Sequence, residues 1–284
     1  MITFSELGTL GRLGNQLFQY AAVRSLSLHH GYELALPDPN SKRWQGQDCL
    51  LREFNIPTDL FKDSSGIQHT FLERDPFVYE PGFWSLPDNL NLQGFFQSTL
   101  YFKDFEDIIK KELTPKKENM DSAAKFVSTL REKYGKPVVS IHLRRGDNTD
   151  NSNPSEKLNS MYDKDGDYFE FLHKALKLFP KSKYTFLVFT GGKRSEEGNS
   201  EDIQWCKNNL GIEAEYSEGT TIQDFTRIMC CDHSIMSPVS SFSWWASYLS
   251  CSESKHIVAP EKYHSDIEGY TYRKGFYPKE FILL

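Results

Sequence analysis

Apolar positions recur along this chain in two rhythms, and the places where the rhythm changes mark its elements. Residues 2–7 (ITFSEL) predict a short apolar strand, glycines follow at 8, 11 and 14, and from Leu17 to His30 apolar residues return at helical spacing. This segment reads as strand, loop, helix. Residues 37–100 are rich in Pro, Asp, Asn and aromatics with no sustained period, so they predict only short mixed elements. From about residue 121 the pattern becomes regular. It predicts a helix over 122–134 behind Asp121 as cap, a buried strand over 138–143, a helix over 168–178 and a strand over 184–189. Helices over 201–210 and 221–231, a strand over 234–236, a helix over 242–250 and a strand over 256–258 follow. Short continuous apolar strands alternating with helices predict an α/β, doubly wound domain with a mostly parallel sheet covered on both faces. Ligands of such sheets bind beyond the carboxyl ends of the strands. The polar stretch GDNTDNSNPSEKLNSMYDKDGD, residues 146–167, leaves one such strand end as a long loop.

Length and charge narrow the function classes. At roughly 150 residues per domain, 284 residues make one large domain or two small ones. The net charge of −6 offers no general attraction to nucleic acid or an anionic bilayer, so an anionic ligand must meet a local basic site. No run approaches the ~18 apolar residues of a membrane span, and MITFSELGTL lacks the basic start and apolar stretch of a signal peptide. The five cysteines are odd in number and lack a CxxC pair, which reads as reduced thiols. There is no Asn-x-Ser/Thr acceptor with a permissive middle residue. The expectation is a soluble, cytoplasmic protein; a Golgi-lumenal domain separated from its anchor is the other reading.

Three segments carry chemistry. In Ser140-Ile-His142-Leu-Arg144-Arg145-Gly-Asp147 a buried strand delivers a His, two Arg and an Asp to the place where it ends, and guanidinium forks bind phosphate bidentately. In Ser240-Ser241-Phe242-Ser243-Trp244-Trp245 hydroxyls stand just before a helix, where free amides cradle an anion, although ordinary capping with the tryptophans in the core explains the same letters. Two anion-suited sites at strand ends of one sheet favour a diphosphate. In Gly11-Arg12-Leu13-Gly14-Asn15-Gln16 the glycines suit a tight turn, while Asn15 and Gln16 bring amides to a sugar or phosphate. This segment is neither a Walker loop nor a GxGxxG fingerprint.

Seven segments in order resemble the α-1,2-fucosyltransferases: GRLGNQLFQYA (11–21), LLREFNI (50–56), LQGFFQSTLYF (92–102), VVSIHLRRGD (138–147), DFTRIMCCDHSIM (224–236), SSFSWWASYL (240–249) and IVAPEKYH (257–264). The resemblance implies a GT-B architecture, two Rossmann-like domains facing across a cleft. It places an N-terminal, acceptor-side domain over 1–120 and a C-terminal nucleotide-sugar-binding domain over 121–284. The implied reaction moves L-fucose from GDP-β-L-fucose, with inversion, to the 2-hydroxyl of a terminal galactoside. By the same resemblance Arg144 is the catalytic group on the β-phosphate, and His142 and Asp224 contact the guanine. Ser240, Ser241 and Phe242 form the phosphate-binding turn, and Asn15 reaches the diphosphate and fucose. Gly14, Gln16, Arg145 and Asp147 complete the candidate substrate-binding set. Partners are GDP-fucose and a galactoside-terminated glycan. No metal and no cofactor beyond the donor substrate is expected, because Arg144 stands where other transferases use a metal ion.

This sequence departs from the family pattern twice. Pro238-Val239 lengthens the segment between His233 and Phe242 by one residue, and Thr190-Gly191-Gly192 replaces Ser-Asp-Asp and opens a charged insertion, GGKRSEEGNSED, at 191–202. Rival readings are a metal-dependent transferase built on Asp163-Lys-Asp165-Gly-Asp167, an adhesion module built on Arg145-Gly146-Asp147, and a sugar-nucleotide or glycan binder without turnover. An EF-hand is excluded because the sixth position is not Gly and residue 174 is Lys. Asp48 and Glu53 lie in the acceptor half, but neither is assigned as catalytic base.

Overall fold

The computed structural model describes residues 1–41, 43–44, 47–76, 78–146, 167–191, 200–238, 240–252, 254–261 and 275–284. The chain divides into two compact units, one of Met1–Lys116 with Gly269–Pro278, the other of Lys117–Glu268 with Lys279–Leu284.

The first unit is built on a four-stranded parallel sheet. Its strands are β1 (Ile2–Thr3), β2 (Leu34–Ala35), β5 (His69–Leu72) and β6 (Leu90–Gln93), in the order β2-β1-β6-β5; β3 (Arg43–Trp44) and β4 (Gln47–Asp48) pair apart as an antiparallel hairpin. β1 stops after two residues, shorter than the 2–7 pattern predicts. Leu7 N–H already bonds Phe4 C=O and Thr9 N–H bonds Glu6 C=O, so the apolar residues beyond Thr3 line turns rather than a ladder. α1 (Leu13–His30) begins four residues earlier than its apolar period suggests, because Arg12 C=O accepts from both Asn15 and Gln16 N–H and draws the motif itself into the helix. It ends at Gly31, whose left-handed φ of 69° lets its N–H close on Ser27 C=O. α2 (Glu106–Glu112) ends on a buried carboxylate: Glu112 takes Tyr20 Oη at 2.6 Å and the Arg24 fork. An aromatic core of Phe4, Phe83, Phe96 and Tyr101, packed edge to face, fills the space that the short strands leave.

The second unit follows the doubly wound plan. α3 (Lys117–Tyr134) leads to β7 (Val138–Leu143), α4 (Asp167–Leu176), β8 (Thr185–Thr190), α5 (Ser200–Asn209) and β9 (Glu215–Tyr216). Then come α6 (Thr221–Cys230), β10 (His233–Ile235), α7 (Ser241–Tyr248), β11 (Ile257–Ala259) and β12 (Ile282–Leu283). The six strands lie parallel in the order β12-β11-β10-β7-β8-β9. Asp121 is not the cap of α3: the helix starts at Lys117, and Asp121 pairs with that lysine one turn on. From β7 the chain winds outward to β9, then returns to β10 on the other side of β7. The strand order therefore reverses between β7 and β10, and such a switch point opens a crevice at the carboxyl ends of both strands.

Strand alternation decides what β7 sends to each face. Val139, Ile141 and Leu143 pack into one core with Tyr168, Phe171, Leu172 and Ala175 of α4 and Cys206 of α5. With a period of two, His142 is turned the other way, and its ring meets Phe242 of α7 at 5.6 Å between centroids.

A candidate nucleotide-sugar site at the carboxyl end of β7

The predicted site residues are distributed over both units. Gly14, Asn15 and Gln16 belong to the first; His142, Arg144, Arg145, Asp224, Ser240, Ser241 and Phe242 belong to the second. Asp147 lies outside the described residues.

In the second unit β7 is wholly buried up to Leu143, and the chain then turns out with Arg144 partly exposed. Arg144 N–H donates to Ser237 Oγ at 3.1 Å, which ties the turn after β7 to the turn after β10 across the switch point. His142 is held by its neighbours on the sheet but not through its ring: Nδ1 is buried without a hydrogen-bond partner. Burial, with the adjacent Arg144 charge, pushes its pKa down to about 3, so the ring is neutral at pH 7 and one orphaned nitrogen is left for a ligand. Phe242 lies between His142 and Phe225, 5.4 Å from the latter's ring, and presents an apolar wall.

Ser240 is the N-cap of α7, its Oγ accepting from Ser243 N–H at 3.2 Å. Its hydroxyl therefore performs ordinary capping, while Ser241 opens the helix. Trp244 and Trp245 are fully buried and supply the core beneath this helix start. The position of the α7 N-terminus beside the end of β10 leaves the helix dipole available to an anion in the crevice.

Asp224 sits in the first turn of α6 behind a capping box made by Thr220 and Gln223. Its carboxylate accepts from Ser217 Oγ at 2.6 Å and lies 3.5 Å from Arg227 Nη1, which also donates to Ser217. Burial outweighs these contacts and raises its pKa to about 6. Gly219 is required here, since a Cβ would stand 2.4 Å from Asp224 Oδ1. Sequence reasoning missed Ser217, because a lone Ser in a loop carries no pattern.

In the first unit the Asn15 amide is positioned from two sides. Gln97 Nε2 donates to Asn15 Oδ1 at 2.7 Å, and Gly11, at φ +81°, leaves the space in which a Cβ would meet Asn15 Nδ2 at 2.5 Å. Gln97 is in turn presented by a strained loop: Phe96 has φ +49°, and the buried Glu73 carboxylate takes Phe95 and Phe96 N–H at 2.6 and 3.1 Å. Gln16 Nε2 instead donates to Gly11 C=O at 3.0 Å, and its Oε1 accepts from the Cys49 thiol, so this amide shapes the loop. Gly14 lies buried in the first turn of α1.

Among the described residues no group of three or more His, Cys, Asp or Glu side chains converges to hold a metal ion. Asp163 and Asp165 of the rival metal reading lie outside them, and of Asp167 only the backbone at the start of α4 is described. No helix among the described residues is long and apolar enough to cross a membrane, and all five cysteines are free thiols.

A parallel α/β sheet in each of two units, with the basic turn at a switch point of the second, defines the class: a GT-B-type glycosyltransferase fold. The chain belongs to Glycosyl transferase family 11, whose description matches residues 5–282. It is 24% identical over 268 residues to galactoside alpha-(1,2)-fucosyltransferase 2 of Bos taurus, covering 89% of this chain and 70% of that one. Against the Mus musculus protein of the same name the identity is 24% over 270 residues, with the same coverage. Among solved structures, POFUT1 in complex with GDP superimposes with a TM-score of 0.52 at 14% identity, over 91% of this chain and 97% of that one. POFUT1 in complex with GDP-fucose gives 0.51. Likeness at that identity speaks for the fold.

Proposed function

We propose that the protein transfers L-fucose from GDP-β-L-fucose to the 2-hydroxyl of a terminal galactoside, with inversion. The relatives compared above are named galactoside alpha-(1,2)-fucosyltransferases, and the observation in this chain that carries the reading is the Arg144 turn. It places an arginine at the carboxyl end of the central strand, its backbone N–H bonded to Ser237 Oγ, at the switch point beside the α7 helix start. Breaking the bond from fucose C1 to the phosphate oxygen leaves negative charge on the leaving diphosphate. A guanidinium carried by that anchored turn and a helix N-terminus stabilise that charge as it develops. Entry of the acceptor oxygen on the opposite face of C1 converts the β-configured donor to an α-linked product.

The nucleotide is assigned to the second unit. Neutral His142 offers its orphaned nitrogen to the base, and Asp224, ionised above about pH 6, accepts from guanine N1–H and the exocyclic amine. The acceptor is assigned to the first unit, and no metal is assigned a role. The test is release of GDP from GDP-fucose by the purified protein, measured with and without a β-galactoside. Release that depends on the galactoside supports a transferase. Tight GDP-fucose binding with neither release nor transfer would identify a non-catalytic binder.

A further inference from the structure

The turn that carries Arg144 is pinned on its far side by the start of α5. Asp202 in the first turn of α5 is buried, with 5% of its side chain exposed; its Oδ2 accepts from Gly146 N–H at 3.2 Å and its Oδ1 lies 3.4 Å from Arg145 Nε. One turn along the same helix, Trp205 lies flat under the Arg145 guanidinium, 3.5 Å from its carbon to the ring centroid. Gly146 itself has φ +37°, a left-handed turn conformation that glycine adopts without steric cost. The Arg144–Gly146 turn is thus held on one side by Ser237 and on the other by α5.

We propose that Asp202 and Trp205 are positioning residues for the transfer reaction: acting through Arg145 and Gly146, they hold the turn so that the Arg144 guanidinium meets the leaving diphosphate. Arg145 then serves the turn rather than the substrate. The inference rests on the reading of Arg144 as the diphosphate donor. Its physical basis is leverage. A buried carboxylate that accepts from Gly146 N–H and places its charge 3.4 Å from Arg145 Nε restrains the two residues that follow Arg144. Misplacement of a reacting group by about 1 Å can cost on the order of 10² in rate. The start of α5 therefore supplies an acidic residue to the strand-end turn.

The experiment is a double-mutant cycle on GDP-fucose turnover. Asp202→Asn keeps an acceptor for Gly146 N–H and removes the charge facing Arg145; it is expected to lower kcat about tenfold while KM for GDP-fucose changes less than about threefold. Asp202→Ala removes both contacts and is expected to cost more. In an Arg144→Ala background Asp202→Asn should change kcat less than about twofold, because there is no guanidinium left to position. Trp205→Leu, which leaves the ion pair in place, serves if the Asp202 variants melt early, with the same expected loss of effect in the Arg144→Ala background. Full additivity in the cycle, or an unchanged kcat in folded Asp202→Ala, overturns the positioning role. If instead Arg144→Ala alone leaves turnover intact, the diphosphate reading of Arg144 is what fails.

Discussion

Arg144 and Arg145 are adjacent and chemically alike, yet the fold gives them different surroundings. Arg145 is laid on Trp205 beside a buried carboxylate, whereas Arg144, of the same intermediate exposure, ties its backbone N–H to Ser237 at the strand end. Arg144→Ala is expected to reduce transfer by at least about 10², the usual cost of losing a donor to developing charge. Arg144→Lys should not restore it, since an ammonium lacks the planar fork. Steady-state rates on the folded variants check both, and near-normal turnover in Arg144→Lys would remove the assignment. At Asp224 the pKa of about 6 gives a pH signature. If Asp224 reads the base as proposed, its carboxylate accepts from guanine only above about pH 6, so GDP affinity should rise between pH 5 and 7.5 while ADP affinity stays flat. Asp224→Ala should abolish that difference in a calorimetric titration. The effect on stability has the opposite sign. A carboxyl raised above its ordinary 3.8 favours the folded state most below that value and loses the contribution as pH rises through 6. His142 acts in the other direction: the unfolded chain takes up a proton near 6.5 that the folded ring refuses until about 3, so its contribution is full above 6.5 and falls away as the solution is acidified. His142 and Arg144 stood out in the sequence because a buried strand ends among them, whereas Asp224 entered only through the family resemblance. Asp202, Trp205 and Ser217 were not legible there, because their roles come from contacts to residues 7 to about 60 positions away that no local period encodes.

Among the elements, those with long, fully buried apolar runs were read closely. β7 spans the residues that its pattern predicts, and α7 starts one residue earlier than 242 because Ser240 takes the cap. The two-residue β1 and the three-residue turns of the first unit were not readable, since their stability comes from tertiary packing of aromatics and not from a repeating face. α1 shows a local rule at work. Its first turn contains Asn15, and Gly11 both adopts φ +81° and vacates the space beside that amide. Gly11→Ala should cost roughly 1 to 2 kcal/mol from the left-handed backbone alone, with a further loss from the clash at Asn15. Urea melts of the variant measure the first, and a fall in turnover beyond the change in folded fraction measures the displacement of Asn15. Replacing Ser240 with Ala should cost about 1 kcal/mol by uncapping α7.

At the scale of the whole molecule, the family match spans residues 5–282 and each unit is built on a parallel sheet. A net charge of −6 sets a mildly repulsive field for an anionic donor, so its capture relies on the local basic turn and should weaken as salt screens that turn. If side-chain cations and a helix start serve as the electrostatic partners of the diphosphate, turnover should persist in excess EDTA; complete loss restored by Mn²⁺ or Mg²⁺ would return the aspartates of 163–167 to consideration. The bond made distinguishes this transfer from every other, and nuclear magnetic resonance of the product reads it directly. With GDP-β-L-fucose and a terminal β-galactoside, one new fucose residue is expected, whose anomeric proton has the small coupling of an α-linkage and correlates with galactose C2. A β-linked fucose, attachment at another galactose carbon, or free fucose as the sole product would contradict the proposed transfer.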